Sequence, residues 1–315
     1  MSLSTIERQT TAFLAAARGL DVPVTRVGPL QWELSVPVWP SRVGARLDED
    51  WLLLESALPA GPGPWTHWEL LCWNGLLAGP GKFVLAPDGR TGIRAEIPLQ
   101  DPGVMPARLR GWCADLAAAA GLLGNRAEAA RPAVREMGEA ARDGTSAREL
   151  LGPTCEAGGW PFTEGSASQL RVALDLPEGY HQVCVDLHPD GTVRASVGLA
   201  RFDRLSRLGR RALGILLLGA SGLVRLARGA VLADGDEEVT ARVEVRLTLP
   251  LVEGELHHAL SALATAARLC GREVDALRGE SLARTYLSVH EPGSRGVRLT
   301  ETTPRENQED QHATQ

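Results

Sequence analysis

Lysine is almost missing from this chain: of its 33 basic residues only Lys82 is a lysine. That bias fits a GC-rich genome, and no function is read from it. Paired cysteines are missing too. Cys72, Cys113, Cys155, Cys184 and Cys270 form no Cys-x-x-Cys pair and no even framework. Reduced thiols in a cytoplasmic protein are therefore expected, rather than disulfides or a metal centre. No basic segment followed by an apolar run opens the chain, so no secretory signal is expected. The most apolar run, Ala212–Val224, has 13 residues and contains Gly and Ser. A membrane span needs about 20, so the run reads as a buried helix and no membrane partner is expected. A large charge of one sign is also lacking. The net charge of -6 gives no reason to expect nucleic acid, which usually meets a basic surface.

What is present is ordinary apolar content, 44%, with a mean hydropathy of -0.09. At 315 residues the chain is about twice a domain of ~100–150 residues. Ser4–Gly19 reads as a helix with capping-box spacing between Ser4 and Glu7. Gln31–Val38 reads as a strand with Trp32, Leu34, Val36 and Val38 on one face. Ser41–Leu47 and Trp51–Ala57 follow as strands, then a helix from Pro64 to about Leu77. Phe83–Ala86 and Thr91–Leu99 form a hairpin around Asp88-Gly89, and Met105–Leu123 is a helix. A helix is expected near Pro132–Leu151, then a loose Gly/Pro/Ser stretch.

The order then repeats. Gln169–Leu176, Gln182–Leu187 and Thr192–Leu199 read as strands and Arg204 to about Val224 as a helix. Ala230–Ala233 and Val239–Leu249 form a hairpin, and Gly254–Leu277 closes the unit. Val84-Leu85-Ala86 matches Val231-Leu232-Ala233, and Pro98-Leu99 matches Pro250-Leu251, which makes the second hairpin five residues longer. The fold class expected is α+β: a tandem repeat of an α-β-β-β-α-β-β-α unit with antiparallel five-strand sheets. The divisions are residues 1–124 for the first repeat, 125–290 for a linker helix and the second repeat, and 291–315 for a polar, disordered tail.

Both middle helices are apolar nearly all round. Trp65, Trp68, Cys72 and Leu76 make one stripe, and Leu70, Trp73 and Leu77 make another. The run Leu213, Ile215, Leu216, Leu217 and Leu218 leaves no polar face in its turn. Such helices are buried on both sides, and one sheet covers only one side. The two middle helices are therefore expected to cover each other, with Trp68, Cys72, Leu213 and Leu217 as inter-repeat packing residues. The result would be a monomer with an internal pseudo-two-fold.

The run Leu70–Leu99 holds a helix, a short strand, an Asp-Gly turn and a long strand. It resembles the class I type III secretion chaperone-like fold, which includes the Tir chaperone family and the YbjN-like proteins. Leu213–Leu251 resembles it more loosely. The resemblance spans roughly residues 3–123 and 168–278. It implies dimer-like packing through the central helices, binding of a protein segment, and no catalytic residues. Two copies in one chain depart from the small single-domain secretion chaperones.

Motifs for chemistry fail on required residues. Gly79-Pro80-Gly81-Lys82 lacks the first glycine of a phosphate loop, where Leu76 stands, and has Phe83 in place of Ser or Thr. Gly219-Ala220-Ser221-Gly222 lacks the last glycine of a nucleophile elbow, where Leu223 stands. Glu253 and His257 have helical spacing, but the adjacent His258 points elsewhere, so no metal site is assigned. His67 and Glu69 read as surface residues. No catalytic, cofactor or metal residue is named. The partner-binding candidates are Trp39, which either anchors a partner or packs under a loop, and the basic stripe Arg201, Arg204, Arg207, Arg210 and Arg211. The function expected is a non-enzymatic, cytoplasmic protein-binding module, chaperone-like or adaptor. The alternative is an enzyme or small-ligand sensor with a site between the repeats.

Overall fold

Alternating burial builds the first sheet. Val43, Ala45 and Leu47 are buried while Gly44 and Arg46 are exposed, and the neighbouring strand buries Leu52, Leu54 and Ser56. The computed structural model describes residues 3–59, 66–125, 132–134, 146–176, 179–233, 238–252 and 254–291. The first unit runs α1 (Leu3–Gly19), β1 (Val24–Gly28), β2 (Gln31–Leu34), β3 (Val43–Asp48), β4 (Trp51–Ala57), α2 (His67–Asn74), β5 (Lys82–Leu85), β6 (Thr91–Pro98) and α3 (Met105–Gly124). Its antiparallel sheet has the order β1-β2-β3-β4-β6-β5.

The second unit follows a short strand, β7 (Ala133–Val134). It runs α4 (Ala147–Ala157), β8 (Phe162–Ser166), β9 (Gln169–Leu176), β10 (Gly179–Leu187), β11 (Thr192–Phe202), α5 (Arg207–Leu223), β12 (Arg228–Ala233), β13 (Val239–Thr248), α6 (Glu255–Ala276) and α7 (Glu280–His290). The sheet order is β7-β12-β13-β11-β10-β9-β8. Without β7 it is β8-β9-β10-β11-β13-β12, which matches the first sheet strand for strand. The chain is thus an α+β tandem repeat.

Several expectations need correction. Each repeat contributes six strands rather than five, because β1 and β8 lead the sheets. Both are largely exposed and carry no buried alternation, so period-two reading passes over them. The strand expected over Gln31–Val38 ends at Leu34, and Val38 is 51% exposed. The helix expected at Pro132–Leu151 is replaced by β7, which pairs parallel to β12, and by α4, which starts later. Residues 135–145 lie outside the described residues, as do Pro64, Trp65, the Asp234–Asp236 turn and the tail from residue 292. Helix α7 was not anticipated.

Local chemistry fixes the central helices. Thr66 caps α2 through a reciprocal capping box with Glu69. Ser206 caps α5, which starts three residues later than expected. Each sheet carries its outer helices, α1 with α3 and α4 with α6, while α2 and α5 lie against each other. Helix α2 also touches β12 of the second repeat, and α5 touches β5 of the first. The approach is close: a Cβ on Gly214 would sit 2.7–3.0 Å from His67. Only a residue without a side chain lets α5 come this near.

Candidate functional site

Among the described residues two regions stand out for chemistry or recognition: the seam between the repeats and a groove beside it. In the seam, Asn74 at the end of α2 is fully buried. Its Oδ1 accepts from Phe83 N (2.6 Å), and its Nδ2 donates to Phe83 O (3.0 Å) and to Gly229 O (2.9 Å). One amide thus satisfies both backbone groups of Phe83 on the outer edge of β5 and reaches Gly229 at the start of β12. Ser221 on α5 does the matching work, accepting from Gly229 N and donating to Leu217 O, both at 2.7 Å. The serine of the incomplete elbow motif is therefore a strand-edge cap.

These bonds also correct the repeat alignment. Phe83 and Gly229 both turn their backbone polar groups outward, so β5 and β12 align with Lys82 opposite Arg228. The matched Val-Leu-Ala runs are one residue out of this register.

Lys82 and Arg228 each cross the seam. The Lys82 ammonium donates to Val224 O (2.8 Å) and Ala227 O (3.0 Å) of the second repeat and pairs with Glu96 at 3.1 Å. Arg228 donates to Leu77 O (2.7 Å) and Gly81 O (2.6 Å) of the first repeat and pairs with Glu244 at 2.9 Å. Arg94 reaches Gly222 O, and Arg246 reaches Gly75 O. Burial pushes the Lys82 ammonium below its ordinary value, against the pull of Glu96. Burial likewise lowers Arg228 to about 10. Burial alone would raise the Glu244 carboxyl, but Arg242, Arg246, Arg228 and Arg194 outweigh it and hold it far below the carboxylate range.

Further out, Arg108 of α3 pairs with Glu255 of α6 at 2.6 Å. Asp115 accepts from the Gly79 and Gly81 amides at 2.8 and 2.6 Å, which fastens the loop that resembled a phosphate cradle to α3. Burial raises both the Asp115 and the Glu255 carboxyls. The cavity enclosed here by Arg108, Arg228 and Glu255 is only about 10 Å³, no larger than a water needs.

The groove lies between the β5–β6 turn and the helices α5, α6 and α7, with a volume of about 640 Å³. Ile215, Gly219, Leu223, Leu269 and Val289 line it. Leu223, Leu269 and Val289 are 67%, 48% and 57% exposed. Three large apolar side chains open around one trough differ from the singly scattered exposure of ordinary surfaces.

The residues singled out from sequence fall as follows. Trp39 is buried, and its Nε1 donates to Ser56 Oγ at 2.8 Å. It packs under the chain and offers no anchor to a partner, since its indole is already satisfied inside. Cys72, Leu213 and Leu217 are fully buried, and Trp68 is partly covered. The five arginines of the stripe are all exposed. Arg201 pairs with Glu238, Arg211 pairs with Glu291, and Arg210 lies over the Trp68 ring at 5.4 Å. His257 accepts from Trp160 Nε1 at 3.1 Å, and Glu253 lies outside the described residues. Glu69 caps its own helix. His67 has its imidazole lowered by burial first and by Arg211 second.

Asn74, Glu96, Asp115, Arg228 and Glu244 escaped the sequence reading. A signal existed for Glu244: Arg242, Glu244 and Arg246 alternate with valines, which puts three charges on one face of a central strand.

The thiols are muted. Burial raises Cys72 and Cys270 to about 12 and Cys155 to about 11. Among the described residues no group of three or more His, Cys, Asp or Glu is placed to hold a metal ion, and no helix is long and apolar enough to cross a membrane. Neither the protein-family models nor the curated proteins searched match this chain, so the functional argument rests on the residues themselves.

Proposed function

We propose that this protein is a non-enzymatic binding module, chaperone-like or adaptor, that works in the cytoplasm and holds a segment of a partner protein. The exposed apolar groove beside the seam carries the reading. A surface trough of about 640 Å³ lined by Leu223, Leu269 and Val289 is costly to leave in water unless something covers it. The likeness of the Leu70–Leu99 run to a segment-holding chaperone fold supports the same reading. So does the chemistry of the seam, whose charged groups are spent on carbonyls and on each other. The 10 Å³ left there gives a substrate no room. With α2 and α5 covering one another, the chain acts as its own pseudo-dimer and sediments as a monomer.

The test is recovery of the tagged full-length chain from its native cells, with proteins quantified after salt washes. One protein at near-equal molar ratio is the expected result. Specific turnover of a small molecule, in a screen of metabolite mixtures, would replace the reading with an enzyme.

A further inference from the structure

This inference rests on the protein-binding reading and gives it a place and a chemistry. Along α5, Arg207, Arg211, Ile215, Gly219 and Leu223 recur every four residues and form one ridge that turns about 40° at each step, so that it winds about 160° around the helix from the basic end to the apolar end. The two arginines are exposed, and the three residues after them line the groove. Arg211 pairs with Glu291, itself part of the groove wall, so the basic end and the apolar trough are continuous. Arg204 stands exposed just before the helix, and Arg210 is oriented by its stack on Trp68. The floor is open at Gly219, where an added Cβ would meet nothing within 4 Å.

We propose that this ridge docks a partner-protein segment in which acidic residues adjoin a short apolar run. The acids lie along Arg204–Arg211, and the apolar side chains enter the trough at Gly219, between Leu223 and Leu269. From Arg207 to Leu223 the ridge rises about 24 Å while it winds around the helix, so an extended segment of roughly eight residues crossing α5 obliquely follows it. A second copy of this chain fits poorly, because a symmetric contact would set arginines against the apolar end of the other ridge. A phosphate backbone would leave the Ile215–Leu223 end of the ridge unused.

Selection of random twelve-residue displayed peptides against the full-length chain tests the proposal. Enriched peptides are expected to carry Asp or Glu beside an apolar run and to bind about tenfold more weakly when salt is raised severalfold. Gly219→Leu fills the trough and should weaken binding at least about tenfold. The melting temperature should hold or rise, since leucine is the better helix residue. Arg207→Glu should weaken the preference for acids severalfold and leave melting unchanged.

The proposal is overturned if no peptide is enriched, if the enriched peptides lack acids, or if Gly219→Leu binds as well as wild type. It is also overturned if a concentration-dependent dimer forms that Gly219→Leu abolishes, since that would give the trough to a second copy. A native partner recovered equally by wild type and Gly219→Leu would remove this site and leave the binding-module reading standing.

Discussion

At the start of β5 the Lys82 ammonium has three donors and meets three acceptors: Glu96 and the carbonyls of Val224 and Ala227. At the start of β12 the Arg228 fork meets Glu244 and the carbonyls of Leu77 and Gly81. Both cations cross the seam and close the loop before the other repeat's strand. They differ in the acid behind them. Among the described residues Glu96 pairs with Lys82 and also accepts from the Leu226 amide. Glu244 serves Arg228, Arg242 and Arg246 together. One half of the seam is a compact pair, and the other is a network around a single anion. A pair can be exchanged for apolar groups as a unit, whereas a network loses its centre when one member goes.

Removing that centre should have the largest effect. Glu244→Gln leaves buried guanidinium groups without their anion and should cost about 3–5 kcal/mol in denaturant unfolding. The pH dependence has a sign. The Glu244 carboxyl is held below its ordinary 4.5 in the folded state, so its contribution is complete above that value and drains as pH falls below it. The variant should lack that part of the acid limb. Asp115 and Glu255 act the other way: their raised carboxyls relieve a cost as pH falls through their folded values.

Asn74→Leu comes next. It strands the Phe83 amide and two carbonyls, Phe83 O and Gly229 O, and should cost about 1–3 kcal/mol in all, since a carbonyl left without its donor is tolerated better than an amide left without its acceptor. Loss of only a few tenths of a kcal/mol would mean that the seam tolerates an unsealed strand edge.

The pair around Lys82 sharpens the contrast. Lys82→Met alone should destabilise clearly, because it leaves Glu96 buried. Lys82→Met with Glu96→Met should recover part of the loss, because no charge is left unpaired, and the remainder reports the Val224 and Ala227 carbonyls and the Leu226 amide that the pair had satisfied. A double variant as unstable as the single one would show that this half is a network too.

The smallest effect is on reactivity. Cys72, Cys155 and Cys270 should resist alkylation at neutral pH until the chain unfolds, since their thiols are pushed up to about 11–12. Rapid modification of any of these three in the native protein, told apart from the half-buried Cys113 and Cys184 by peptide mapping, would place it on a mobile face.

The seam and the groove also differ in how far the sequence revealed them. The seam was foreseeable in outline, because helices α2 and α5 show no polar face and must be covered twice. Its polar content was not, because Asn74 looks like any helix-end residue until a strand from the other repeat passes it. For Trp39 the sequence left two outcomes open, an anchor for a partner or packing inside, and the second holds. Alternation placed it outward, but strand β2 had already ended at Leu34, so the parity no longer held and the indole turned in to Ser56. The basic stripe could be read directly, but its continuity with an apolar trough could not, since α6 and α7 supply the far wall.

By itself the sequence determined most of the element types, the duplication and the burial of the two central helices, because these follow from local periodicity, capping residues and turn chemistry that act over a few residues. It did not determine the leading strands β1 and β8, the register that sets Lys82 against Arg228, the sealing of both cations, or the trough at Gly219. Each of these depends on which surface arrives from a distant part of the chain. A charge reads as solvated or buried, and a glycine as floor or contact, only after that surface is in place.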